Sequence, residues 1–236
     1  MILKITQELL SKFKGFCFSP DVIMLFVYMK CRFSLSYRDL EEMMQIRGAL
    51  VDHATLHRWV VRFAKLIADK VRQRKRLTND SWRMDETYVK VRGNWAYLYR
   101  AVDSNGDTID FLLRAKRDAC AAKAFFRKAI KSNGRPKVVT VDKSGSNKAA
   151  LDHYNIGVSE SDQIKIRQIK YLNNIVEQDH RFIKKRTRPM LGFKAFHSAK
   201  ATINGIESVR IIQKGQILGQ TANQSSFQNF VALMAA

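Results

Sequence analysis

The chain has 236 residues, with 42 lysines and arginines against 21 aspartates and glutamates, so its formal net charge is +21. A hydrophobic content of 46% and an aromatic content of 10% exclude a disordered basic tail, and the length suits one large or two small domains. Short apolar runs, a start without a secretory signal and three scattered cysteines exclude membrane and secreted classes and predict a cytoplasmic protein.

The first region, residues 1–78, has the apolar spacing of helices. Pro20 suits the first turn of one helix, and Asp52 can cap the last one, which follows a break at Gly48. Short helices separated by a glycine-bearing turn predict a small all-α helix-turn-helix domain, although an ordinary helical hairpin has the same pattern. On the helix-turn-helix interpretation, the side chains that lie towards the major groove of DNA are Thr55, His57, Arg58 and Arg62.

The second region, residues 79–190, alternates strand and helix patterns. Strands are predicted at 82–92, 95–103, 108–114, 137–141 and 164–169, with hairpin turns between the first three. Helices are predicted at 118–130, 146–154 and 171–188. A third region, residues 191–236, carries one more helix at 195–214 and ends in a glutamine- and serine-containing tail that predicts nothing further.

This order of elements predicts an α/β fold, an RNase H-like core with a mixed five-stranded sheet. Three acids occupy informative places in it: Asp85 inside the first strand, Asp142 at the end of the fourth, and Glu177 on the late helix. Because the first and fourth strands are neighbours in this fold and the late helix crosses the sheet, we expect the three carboxylates to meet. Glu86 should face the other side of the sheet. Asp142 as a turn cap and Glu177 as a solvated surface residue are the ordinary alternatives.

Three clustered carboxylates repel one another, and divalent cations remove that conflict. Mg²⁺ prefers oxygen ligands, and two ions roughly 3.5–4 Å apart can activate the attacking oxygen and stabilise the leaving oxygen in phosphoryl transfer. We therefore expect two Mg²⁺ ions, with Mn²⁺ able to substitute, at Asp85, Asp142 and Glu177. Asn174, Arg181 and Lys184 lie near the same face of the helix as Glu177 and are expected to contact DNA.

Long strings of the sequence resemble the DDE transposases of the bacterial insertion-sequence-six family. They are WRMDETYVKVRGNWAYLYRAVDSNGDTIDFLL, VTVDK and NNIVEQDHRFIKKRTRPMLGFKAF, and the likeness extends over about residues 15–214, including a helix-turn-helix that ends in HRWV. The 34 residues between Asp142 and Glu177 agree with the spacing of that family.

The resemblance implies that Asp85, Asp142 and Glu177 form the catalytic, metal-binding triad, and that Lys184 is the basic residue two helical turns beyond the glutamate. It also implies binding to the terminal inverted repeats of an insertion sequence, nicking of their ends, and joining of the 3′ hydroxyl to target DNA. Synapsis of two ends predicts a homodimer or higher assembly on DNA, and DNA binding predicts association with the nucleoid. The alternatives are a non-catalytic DNA-binding protein or repressor derived from a transposase, and a nuclease or retroviral-type integrase that shares the fold.

Overall fold

The computed structural model describes residues 6–221 and 223–235. Within them the helices are α1 (Gln7–Leu10), α2 (Pro20–Arg32), α3 (Tyr37–Ile46), α4 (His53–Arg74), α5 (Ala119–Asn133), α6 (Gly145–Asn155), α7 (Asn174–Thr187), α8 (Phe196–Gln213) and α9 (Ser226–Ala235). The strands are β1 (Ser81–Val91), β2 (Asn94–Asp103), β3 (Thr108–Arg114), β4 (Val138–Thr140) and β5 (Lys165–Arg167). Residues 1–5 of the predicted region 1–78, and residues 222 and 236 of the predicted region 191–236, lie outside the described residues.

These elements form two compact units. The first unit contains the described residues up to Arg76 together with those from Arg188 onward, and the second contains Leu77–Thr187. The chain therefore begins the first unit, builds the whole second unit, and then returns to complete the first.

The second unit is built on a five-stranded mixed sheet with the strand order β3-β2-β1-β4-β5. Strands β1, β2 and β3 form an antiparallel meander, whereas β4 lies parallel to β1 and β5 lies parallel to β4. This topology, with helices after β3 and β4, confirms the predicted RNase H-like α/β fold. The hairpin turn between β1 and β2 has positive φ angles at Arg92 (51°) and Gly93 (80°), as the two central residues of a type I′ turn require.

Helix α5 covers one face of this sheet with the apolar stripe that the sequence predicted. Its buried side chains are Ala121, Ala122, Phe125, Phe126 and Ala129. They pack in one cluster with Trp82, Met84 and Tyr99 from the sheet, and the Tyr99 and Phe125 rings stack with centroids 6.1 Å apart. Each such aromatic burial contributes about 1.5–3 kcal/mol, so this cluster fixes β1, the strand that carries Asp85.

Two predicted elements have different limits in the structure. The late helix begins with a 3₁₀ turn at Lys170–Asn173 and becomes α-helical only from Asn174, and β5 is shorter than the predicted strand at 164–169. Asn173 in that turn is buried and donates from Nδ2 to the carbonyl oxygen of Met84, 3.4 Å away. A side-chain bond to β1 thus accompanies the tighter first turn.

The first unit is all-helical. Asp52 caps α4 as predicted, because its carboxylate accepts from the backbone N–H groups of Ala54 and Thr55 at 2.9 Å each. Helix α8 packs on α2 and α4. A Cβ at Gly205 would clash with the sulfur of Cys31, so glycine permits this close approach. Among the described helices, none is both long and apolar enough to cross a bilayer.

The tail after Gly215 contains a helix that the sequence did not predict. Helix α9 buries Phe230, Leu233 and Met234, and the Phe230 ring lies 4.7 Å from the ring of Tyr28 on α2. Its apolar side chains therefore complete the core of the first unit.

Candidate active site

The three predicted acids come from three elements of the second unit. Asp85 lies on the central strand β1 and pairs across the ladder with Arg100 of β2. Strand β4 pairs with β1 only as far as Thr140 opposite Arg83, and Asp142 follows two residues later, level with Asp85. Glu177 lies near the start of α7, which packs on β1 and β2.

Asp85 and Asp142 belong to one group of carboxylates, together with Glu86. One oxygen from each of the three lies within 4.8 Å of the others. Glu86, which was expected to face the other side of the sheet from Asp85, therefore still contributes an oxygen to the group. Strand β4 ends at Thr140, so none of its residues pairs with β1 beyond Arg83. The side chains of Asp85 and Glu86 can both reach Asp142 around this open edge of β1.

Arg117 and Asn147 hold Glu86 and Asp142 together. The Arg117 guanidinium donates to Asp142 Oδ2 at 2.9 Å and to Glu86 Oε2 at 3.3 Å. Asn147 Nδ2 donates to the remaining oxygens, Asp142 Oδ1 and Glu86 Oε1, at 3.1 Å each. Asp142 Oδ1 also accepts from the backbone N–H of Ser144 at 3.1 Å. Asp142 therefore caps this turn and is at the same time a member of the carboxylate group.

The electrostatics of Asp85 are those of a carboxylate among other carboxylates. Burial, then the negative charge of Glu86, and to a smaller extent the charges of Asp142 and Glu177 together raise the pKa of Asp85 from 3.8 to about 7. Burial also raises the pKa of Glu86, against the opposing charge of Arg117. A cation placed here is favoured because it would relieve this repulsion.

Glu177 is the more distant of the three predicted acids. It is exposed on α7 and is not in the group of oxygens within 4.8 Å, yet its charge contributes to the raised pKa of Asp85. The structure thus brings Asp85 and Asp142 together and places Glu177 within electrostatic range of them.

Sequence reasoning missed a buried histidine beside Asp85. His180 Nδ1 lies 3.6 Å from Asp85 Oδ2, and only 4% of the His180 side chain is exposed. Burial lowers the pKa of His180 to about 3, with help from the nearby charges of Arg100 and Lys184, so the ring is neutral at pH 7. Its position three residues after Glu177, one helical turn along α7, was the available signal.

A buried ion pair fixes the helix that carries Glu177 and His180. Arg100 on β2 donates to Asp179 on α7 at 2.7 Å, with 1% and 6% of the two side chains exposed. Breaking such a pair by removing one partner costs about 3–5 kcal/mol, because a buried charge is left uncompensated. The pair therefore sets the position of α7 against the sheet.

The residues of α4 that were predicted to contact DNA divide into two groups. Arg58 and Arg62 are exposed, and Arg58 donates to the Thr55 hydroxyl at 2.6 Å. His57 is partly buried instead, with its ring 5.3 Å from the Tyr37 ring, and burial followed by the charge of His197 lowers the pKa of His57. Thr55 is partly buried, with its hydroxyl bonded to the capping carboxylate of Asp52 at 2.7 Å.

The predicted DNA contacts on α7 have a simpler arrangement. Asn174 and Arg181 are exposed, and Lys184 is partly exposed and close enough to His180 to lower the pKa of that ring. These polar and cationic side chains lie on the helix that also presents Glu177.

The donor set fits a divalent metal ion. Asp85, Glu86 and Asp142, with Glu177 in electrostatic range, offer only carboxylate oxygens, the ligands that Mg²⁺ and similar hard cations prefer. The raised pKa of Asp85 and the guanidinium of Arg117 between two acids both indicate a site that needs positive charge.

Comparisons with known proteins identify the family of this chain. A family model described as a DDE domain matches residues 79–216. The transposase for insertion sequence-like element IS431mec of Staphylococcus aureus is 38% identical over 198 residues, which are 84% of this chain and 86% of the relative. The same values hold for the transposase of insertion sequence element IS257 in transposon Tn4003, also from Staphylococcus aureus.

Among solved structures, the HTLV-2 integrase catalytic core domain in complex with magnesium, in its dimeric form, is similar to this chain with 19% identity. The match has a TM-score of 0.45 and covers 66% of this chain and 99% of that one. The family model and the staphylococcal relatives decide the classification: the chain belongs to the DDE transposases of the insertion-sequence-six family, enzymes of DNA transposition.

Proposed function

We propose that the chain binds the terminal inverted repeats of an insertion sequence, cuts the DNA at the ends of the element and joins them to target DNA. The single observation that supports the assignment of the active site is the convergence of Asp85 and Asp142 within electrostatic range of Glu177. In the first step the oxygen of water bonds to the phosphorus as the bond to the 3′ oxygen breaks, which leaves a 3′ hydroxyl. In the second step the oxygen of that hydroxyl bonds to a phosphorus of the target strand as the bond from this phosphorus to the target's own 3′ oxygen breaks, and the released target 3′ oxygen takes up the proton.

Asp85, Asp142 and Glu177 would hold the metal, which we propose to be two Mg²⁺ ions that Mn²⁺ can replace. When bound there, the metal supplies the positive charge that activates the attacking oxygen and stabilises the leaving oxygen. The neutral ring of His180 on α7 packs beside the Asp85 carboxylate and limits its movement. The Arg100–Asp179 ion pair holds α7 against the sheet.

The cationic side chains would bind the DNA. On α7, Arg181 and Lys184 contact phosphates next to the acids, and Asn174 adds a neutral polar contact. On α4, Arg58 and Arg62 contact the element ends, with Thr55 and His57 beside them. Two ends must be held at once, so we propose a homodimer or higher assembly on DNA, acting in the bacterial cytoplasm at the nucleoid.

The test compares the parent with Asp85→Asn, Asp142→Asn and Glu177→Gln on DNA that carries candidate element ends. Each variant should nick the ends at least about a hundredfold more slowly in Mg²⁺, since a metal ligand is lost, while end binding changes less than about twofold. Asp152→Asn is the matched control, because Asp152 is an exposed acid on α6 paired with Lys148 at 2.7 Å. A triad variant that cleaves as fast as this control would refute the assignment. A parent protein that binds ends and never nicks them would favour the non-catalytic alternative.

A further inference from the structure

We propose that Tyr88, Trp95 and Tyr97 form an aromatic platform on which an unpaired DNA base stacks next to the acidic site. This inference rests on the proposed function and adds to it a contact with the bases of a locally unpaired strand. All three residues lie at the β1–β2 hairpin end of the sheet in the second unit.

Two of the three platform side chains, Tyr88 and Trp95, are exposed to solvent, and the third, Tyr97, is partly buried against the core cluster. Of the side chains that share its sheet face, Met84 and Tyr99 are buried beneath α5. Tyr88 is 50% exposed and Trp95 is 61% exposed. Neighbouring aromatic side chains left exposed on a folded domain are candidates for a binding site, because their exposure to water costs free energy.

The three rings are arranged edge to face, not stacked in parallel. The Tyr88 ring lies 6.2 Å from Trp95 and 5.5 Å from Tyr97, with interplanar angles of 69° and 66°. In neither pair does one ring face therefore cover the other in full. Ring faces that stay accessible can stack on nucleobases, whatever the base sequence.

The charges around the platform favour a polyanion. Lys90 is exposed on the same strand face as Tyr88 and pairs across the ladder with Trp95, and the exposed Arg114 pairs with Tyr97. No aspartate or glutamate occurs between Glu86 and Asp103 along the two strands. Aromatic faces interspersed with cations are the combination by which proteins bind single-stranded nucleic acid.

The platform is continuous with the acidic site. Tyr88 follows Glu86 by two residues on the same face of β1, a rise of about 7 Å along a strand. Arg117, which bridges Glu86 and Asp142, also interacts electrostatically with Tyr88. A strand whose phosphate lies at the acids could place a base on the platform within one or two nucleotides.

The occupant should be an unpaired base, because in an intact duplex both faces of each base are covered by its stacked neighbours. The main competing occupant is a second copy of this chain, which would cover the same aromatic surface without DNA. The two occupants differ in their dependence on added DNA and on protein concentration.

Tryptophan fluorescence reports directly on this surface. The chain has three tryptophans, and Trp59 and Trp82 are 2% and 1% exposed, so Trp95 dominates quenching from solution. We expect a 12-nucleotide single strand to quench the emission of the full chain. The same strand with abasic sites, and its blunt duplex, should quench much less.

Trp95→Ala should weaken binding of the single strand about tenfold and of the duplex less than twofold, whereas Trp95→Phe should retain most of the affinity. Ile156→Ala, at an exposed apolar residue elsewhere in the second unit, is the matched control. Equal quenching by intact and abasic strands would overturn the proposal, as would an unchanged affinity in Trp95→Ala. So would a change of emission with protein concentration alone, which would identify a contact between copies. Failure here leaves the triad test untouched, since nicking by the parent and its loss in Asp85→Asn are measured separately.

Discussion

Replacing Asp85 by asparagine is expected to stabilise the metal-free protein above neutral pH. The native carboxyl titrates near pH 7 whereas an unfolded aspartate titrates near 3.8, a rise of about three units. At about 1.4 kcal/mol per unit, the ionised carboxylate costs the native state about 4 kcal/mol, and asparagine removes that cost. The side chain is only 21% exposed, so screening by solvent reduces this value little.

The sign follows from where the proton is bound. Below about pH 4 the carboxyl is protonated in both the native and the unfolded state, so it contributes no pH dependence. Between about pH 4 and 7 the native state keeps the proton that the unfolded state releases, and the stability of the parent falls as the pH rises. Above pH 7 the cost is constant.

Urea unfolding in EDTA at pH 5 and pH 8 measures this effect. The stability of Asp85→Asn relative to the parent should rise by about 2–3 kcal/mol between these pH values, and Asp152→Asn should show no such rise. Taking the difference between variants cancels the other titrating groups. Excess Mg²⁺ should stabilise the parent and not the variant. If the relative stability of Asp85→Asn stays constant from pH 5 to pH 8, the raised pKa of Asp85 is wrong.

Three further predictions concern the surroundings of the acids and the DNA-contact helix. The stability of His180→Gln relative to the parent should rise by about 2 kcal/mol between pH 7.5 and 5, because the unfolded histidine binds a proton that the native ring, with a pKa of about 3, does not. A difference between the two proteins that stays constant over this pH range in urea unfolding would contradict this. Arg117→Gln should raise the affinity for Mn²⁺, measured by calorimetry without DNA, by about tenfold, because a cation that repels the metal is removed. Weaker or unchanged binding would show that Arg117 does not compete with the metal. Arg58→Ala should weaken binding of element ends by about 1–3 kcal/mol and of random DNA by less, measured by titration with Lys65→Ala as the exposed control on the same helix. Equal losses of affinity for element ends and for random DNA would show that Arg58 contacts only the DNA backbone.

The placement of Asp85 and Asp142 was predictable because strand order and register determine it. Once β4 is parallel to β1, a residue just past the end of β4 must lie beside the middle of β1. The hairpin turns and the stripe on α5 were predictable for a similar reason, since each depends on a short local pattern. The catalytic and DNA-binding roles of the named residues stay predictions.

What the sequence did not reveal depends on contacts between remote residues. Arg117 and Asn147 donate hydrogen bonds to Glu86 and Asp142 from separate parts of the chain. No sequence spacing predicts these hydrogen bonds. The alternation of side chains along a strand did not reveal that Glu86, on the face opposite Asp85, would still reach the group of carboxylates. Helix α9 was missed because its apolar side chains are buried only through contacts with remote residues of the helical unit, such as Tyr28.

The order in which the chain is synthesised has a consequence for the helical unit. Because α8 and α9 belong with α2 and α4, the ribosome must make the whole sheet-containing unit before the helical unit can close. The apolar face of α4 that packs on α8 therefore stays exposed until α8 has been synthesised. By then all residues of the core of the sheet-containing unit have already been made. We expect the nascent helices to depend on chaperones in that interval. A chain that stops before Phe196 should fold its sheet-containing unit and aggregate through the exposed apolar side chains of its N-terminal helices.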